Sequence, residues 1–212
     1  MPDDDATRTD ANRAIAVQQG AMVKASGADE MLQRIRPEWQ ATGLIDRVRR
    51  LLNVDPSSAC QRLLNAAFHD LRKKVVVAGL DIAREAAKNY KLPTVDKADD
   101  VLDDYSPTRV LELSYRMGIL SRAEWRRLQR TYDIRRDLEH EDDEYEATVE
   151  DVIYVFTSCI DIVLSREPMQ IIRIQDIKDV VEAPERVIVP LEYIQEYRAA
   201  PKPRQEEILS TL

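Results

Sequence analysis

From Pro56 to Tyr90 the apolar residues Cys60, Leu63, Leu64, Ala67, Phe68, Leu71, Val75, Ala78, Ile82 and Ala86 recur at steps of three and four. That spacing places them along one side of a long amphipathic helix, with charged residues on the other. One apolar stripe of this length must be covered by other helices. It is therefore the feature that most constrains the fold. Asp55 is a good N-cap for it and Pro56 a good first helical residue. Gly79 is the expected bend point.

The rest of the chain supplies the covering helices. "RPEWQATGLIDRVRRLLN" puts Trp39, Leu44, Val48, Leu51 and Leu52 roughly on one face. "KLPTVDKADDVLDDY" reads as a connector with a short helix at most. Ser106-Pro107 opens "PTRVLELSYRMG", which Gly118 ends. Ser121 with Glu124 forms a capping box, and Thr148 with Asp151 another. The second box opens "VEDVIYVFTSCIDIVL", whose core stripe is Val152, Val155, Phe156, Cys159, Ile160 and Val163. Beyond Pro168 the runs "MQIIRIQD" and "RVIVP" read as short β-branched strands, followed by a helical turn at "LEYIQEYR" and a tail. The expected fold is all-α, an up-and-down four-helix bundle with a small strand-containing C-terminal appendage. Its expected organisation is a flexible N-terminal tail over 1–30, the bundle over 31–165, and the appendage and tail over 166–212.

Composition removes several functional classes. The net charge is −8, so any contact with nucleic acid must come from a local basic patch. Two cysteines and two histidines at wide spacing give no zinc signature, and no metal or cofactor is expected. Cys60 and Cys159 lie within apolar helical patterns and read as buried, reduced thiols. The opening "MPDDDATRTD" carries no secretory pattern. The most apolar run, "VEDVIYVFTSCIDIVL", holds Asp151 and Asp161 and falls short of a membrane span. The expectation is a cytoplasmic protein with no membrane partner.

Chemistry concentrates in "IRRDLEHEDDEYE", which contains His140. In a continuing helix Arg136 stands one turn before His140, and Asp137 is also within reach. Arg135 lies five residues before it, well round the helix. An imidazole titrating near neutrality can take a proton from a ribose 2′-hydroxyl or give one to the leaving oxygen. A guanidinium can hold the phosphate and stabilise charge growing on its oxygens. The acids Glu141, Asp142, Asp143, Glu144 and Glu146 form either a solvated interhelix loop or a field that favours the protonated imidazole. Arg122, Arg126 and Arg130 are four apart on one helical face. They are either a solvated face or a phosphate-tracking stripe leading to His140.

With "RRDLEH" between the last two long helical patterns, the stretch from about Trp39 to Leu164 resembles the HEPN family of small helical domains. These domains carry an Arg-x4–6-His motif at that place. The resemblance implies a homodimer whose two motifs meet in a cleft. It often implies a metal-independent ribonuclease of toxin–antitoxin, antiphage or RNA-processing systems, and so an RNA substrate and an antitoxin or regulatory partner. Many members are catalytically silent, which leaves a non-catalytic module binding a protein partner or RNA as an alternative. The residue after the motif arginine is usually Asn, Asp or His. With Arg135 as that arginine the next residue is Arg136. With Arg136 the next is Asp137, but the spacing shrinks to three.

A different class is also legible. "TRVLELSYRMGILSRAEWRRLQR" has a helix-turn-helix outline with Gly118 in the turn, which points to DNA binding. Trp125 and Leu128 weigh against it, because the core needs them. His69, beside Phe68, reads as a structural or interface histidine.

Overall fold

The computed structural model describes residues 27–139, 146–171, 174–184, 187–200 and 202–211. Every regular element among them is helical, so the chain is all-α, and no strand occurs among the described residues. In chain order the helices are α1 (Ala28–Met31), α2 (Pro37–Ala41), α3 (Leu44–Leu52), α4 (Pro56–Ala78), α5 (Leu80–Asn89), α6 (Pro107–Arg116), α7 (Arg122–Glu139) and α8 (Val149–Cys159). They continue with α9 (Ile174–Val181), α10 (Leu191–Ala199) and α11 (Lys202–Thr211). A 3-10 turn covers Leu32–Arg34, and single π-helical turns cover Asp100–Asp104 and Ile160–Leu164. Among the described residues no helix is long and apolar enough to cross a membrane.

The chain forms two compact units. The first comprises the described residues up to Ala67 together with Arg130–Arg166. Its core joins Leu32, Ile35, Val48 and Leu52 to Cys60, Leu63 and Leu64 of α4, to Val155, Phe156 and Cys159 of α8, and to Ile160 of the π turn that follows. Ala28, at the edge of the expected tail, is fully buried, and α1 packs on α8. The predicted caps form here. Ser58 N–H donates to Asp55 Oδ1 at 2.9 Å at the start of α4. Thr148 and Asp151 exchange hydrogen bonds of 3.1 Å at the start of α8. The helix expected over "RPEWQATGLIDRVRRLLN" is instead two, α2 and α3, separated by a turn at Thr42–Gly43.

The second unit comprises Phe68–Gln129 and the described residues from Glu167 onward. Its core includes Leu71, Val75, Ile82, Ala83, Val101, Tyr105, Val110, Leu111, Leu113 and Met117. The long apolar stripe breaks where a bend was expected. Gly79 has φ 126° and ψ 123°, which stops α4 at Ala78 and starts α5 anew. The connector holds one π turn, as its composition suggests. Arg72 Nη2 donates to Tyr105 O at 2.8 Å, and Arg84 Nε donates to Val95 O at 3.0 Å.

The C-terminal strands are the clear correction. Ile174–Val181 is helix α9, and Val187–Pro190 belongs to no regular element. Ile174, Ile177 and Val181 repeat at three and seven, a helical spacing that overrides their β-branched preference. Among the described residues Val187–Val189 has no partner strand to complete a ladder, and Arg186 lies outside them. The expected tail forms helix α11, anchored by Ile208 and Arg204 at 2% and 5% exposure.

Candidate functional site

Helix α7 carries nearly every candidate residue. Ser121 and Glu124 start it as predicted: Ser121 N–H donates to Glu124 Oε2 at 2.8 Å, and Glu124 N–H to Ser121 Oγ at 3.3 Å. Leu128, Thr131 and Ile134, each three apart, form its buried stripe. Register then dictates the outward residues. Arg122, Arg126 and Arg130 are all exposed and make no ion pair among the described residues. Arg130 lies 5.8 Å from the ring centroid of Tyr154 on α8. Arg116, which belongs to the same basic cluster in sequence, is diverted. Its Nε donates to Glu112 Oε1 at 2.7 Å, and its guanidinium lies 4.1 Å from the Tyr90 centroid.

At the end of α7 the two motif arginines differ. Arg135 is half-buried, with its guanidinium 6.0 Å from the Tyr132 centroid. Arg136 and Asp137 are exposed. Helical geometry continues through Glu139. His140 and the acids Glu141, Asp142, Asp143 and Glu144 lie outside the described residues. The chain is anchored again just beyond them. Ala147 is 1% exposed and its N–H donates to Ser57 Oγ at 3.0 Å. The structure therefore brings Arg135 to Tyr132 and Arg130 to Tyr154, and it places Arg135 and Arg136 about 100° apart around α7.

The helix-turn-helix outline rests on the α6–α7 pair. Trp125 stacks on Tyr115 with centroids 5.3 Å apart and planes at 25°, and Leu128 is 2% exposed. Leu128 thus belongs to the core, whereas Trp125 is half-buried. His69 is exposed on α4. Among the described residues no group of His, Cys, Asp and Glu is placed to hold a metal ion.

Two features escaped the sequence reading. Asp70 and Lys74, at 0% and 6% exposure, form an ion pair within α4. An acid four residues before a lysine was its available signal. The second is a groove of about 500 Å³ in the first unit, between α2–α3 and α4, lined by none of the candidate residues above. No protein-family model, curated protein or solved structure matches the chain.

Proposed function

We propose that this chain is a metal-independent endoribonuclease of the HEPN type, acting as a cytoplasmic homodimer on RNA. Its biological setting in this reading is that of a toxin or antiphage effector, held by an antitoxin or regulatory protein. The architecture proposed for it is an up-and-down bundle of α4–α5, α6, α7 and α8. The observation that carries the reading is the place of the motif. Arg135, Arg136 and Asp137 end one long helix, α7, and residues 140–148 separate it from the capping-box start of α8. That is where the family resemblance puts an Arg-x4–6-His site.

The chemistry follows from the residue types. His140 takes the proton of a ribose 2′-hydroxyl, and that oxygen attacks the adjacent phosphorus. The bond to the 5′-oxygen breaks, and that oxygen receives a proton from the second imidazole of the dimer or from water. An arginine binds the phosphate oxygens through the step. The products are a 2′,3′-cyclic phosphate and a 5′-hydroxyl end. Arg122, Arg126 and Arg130 supply exposed cations that track the RNA backbone toward the site.

The test is RNA cleavage by the purified chain in EDTA, with end-group analysis. Cyclic phosphate ends that vanish in His140→Ala support the reading. Their absence leaves the second reading, a non-catalytic HEPN-like module for a protein partner or RNA. The apolar side chains Ile188 and Leu191, 92% and 68% exposed, favour that alternative.

A further inference from the structure

We propose that the groove between α2–α3 and α4 binds a nucleoside phosphate, either free or as one residue of an RNA strand. The inference stands on the first unit alone and holds whether or not the chain cleaves RNA. Two ordinary helix faces make the groove. Leu44, Arg47 and Leu51 repeat at three and seven along α3 and, with Trp39 of α2, form one wall. Ser58, Gln61, Arg62 and Asn65 repeat at three, four and seven along α4 and form the other. The first wall is mainly apolar: Trp39 and Leu44 are 7% and 6% exposed. The second wall is polar apart from Ala66.

Charge makes the groove selective. In a chain of net charge −8, arginines are readily neutralised. Arg49, two residues from Arg47, is held by Asp29 at 2.5 Å and Asp46 at 3.5 Å. Arg34 is held by Asp161 at 2.7 Å. Arg47 and Arg62 are exposed at the groove and have no acidic partner among the described residues. Asp46, the acid nearest Arg47 in sequence, turns to Arg49 instead. Two unneutralised guanidiniums facing one cleft suit a phosphate, which a guanidinium grips through paired hydrogen bonds. The amides of Gln61 and Asn65 each offer a donor and an acceptor, the pattern that reads a base edge. Leu51, half-buried on α3, offers apolar surface to the flat face of a base. The volume lies within the range of sites for small organic ligands.

The experiment titrates the full chain carrying His140→Ala with each of AMP, GMP, CMP and UMP, with inorganic phosphate, and with a short single-stranded RNA, by calorimetry. Saturable binding of at least one mononucleotide is expected. It should weaken about tenfold or more in Arg47→Gln and in Arg62→Gln, the loss of one charge-assisted contact. Both residues are exposed, so melting temperatures should hold. Gln61→Leu with Asn65→Leu keeps both charges and is expected to erase preference among the bases. That variant serves as the test if either arginine variant fails to fold. An RNA strand that binds more tightly through the same arginines identifies RNA as the source of the nucleotide, and equal affinity identifies the free nucleotide. The proposal is overturned if no mononucleotide binds up to millimolar concentration. It is also overturned if phosphate alone binds as well, or if binding is indifferent to these substitutions.

Discussion

Arg36 donates a guanidinium hydrogen bond to the backbone carbonyl of Arg166, just past the π turn that ends α8. Its own N–H donates to Leu164 O at 3.1 Å, and the residue is 4% exposed. A buried arginine thus satisfies two carbonyls that a helix C-terminus leaves open, one through its guanidinium and one through its backbone N–H, where the helix dipole also favours positive charge. The contact closes the first unit by joining its start to its end. Arg36→Met should lower the unfolding free energy by about 2 kcal/mol, the scale of hydrogen bonds to a charged group. Urea denaturation measures it, and a midpoint equal to the parent's would show that the contact adds nothing.

The turn after α6 makes the second test. Gly118 has φ 75°, and a Cβ built there would sit 3.3 Å from Arg204 Cα and 3.2 Å from Arg204 Cβ of α11. The conformation disfavours any side chain, and the near neighbour is backbone that cannot swing aside. Gly118→Ala should cost about 1–3 kcal/mol. It should also speed amide exchange in α11, whose anchors are Arg204 and Ile208. Unchanged protection of α11 would show that its packing does not depend on this turn.

What could be read from the sequence divides by range. The caps at Asp55, Ser106, Ser121–Glu124 and Thr148–Asp151 form where expected, because each is decided within a few residues. The break at Gly79 was located but underestimated, since the apolar spacing continues through it and only the backbone angle shows a stop. The C-terminal strands were misread because β-branched residues were weighed above the spacing of Ile174, Ile177 and Val181. The arginine stripe of α7 was legible because helical register alone sets it. The groove was not, because each wall is an unremarkable amphipathic helix and only their packing sets Arg47 opposite Arg62.

The cysteines give a pH signature. Cys60 and Cys159 are 2% and 0% exposed, and both are free thiols. Burial, with the charges of Asp151 and Asp55 added for Cys60 and the neighbouring Cys60 for Cys159, pushes both far above the ordinary thiol value of 9.0. The folded chain therefore keeps both protons where the unfolded chain loses them. The stabilisation is complete below about pH 9 and falls as pH rises above it, by at most about 2.7 kcal/mol per pH unit for two protons. Cys60→Ala/Cys159→Ala should show a shallower loss between pH 9 and 10.5 than the parent. Neither thiol of the folded parent should react with an aromatic disulfide at pH 8, and both should react in denaturant. Rapid reaction of the native chain would contradict the burial.

The two motif arginines should separate in a cleavage assay, if the proposed ribonuclease activity is present. Under the proposed HEPN reading the motif spacing points to Arg135, and its surroundings suit that choice. It is half-buried beside Tyr132, whereas Arg136 is exposed and in no ion pair among the described residues. A guanidinium held in place loses less freedom when it grips a phosphate in the transition state. Arg135→Ala is therefore expected to lower the rate about 10²–10³-fold, the scale for removing one preorganised donor. Arg135→Lys should restore little, because an ammonium lacks the paired geometry. Arg136→Ala should cost about tenfold or less, and mainly in KM and its salt dependence, as for a cation that only attracts the backbone. The reverse order would mean that the register of α7 persists through His140 and that Arg136, one turn away, holds the phosphate. Equal and small losses from both would remove these arginines from the scissile phosphate altogether.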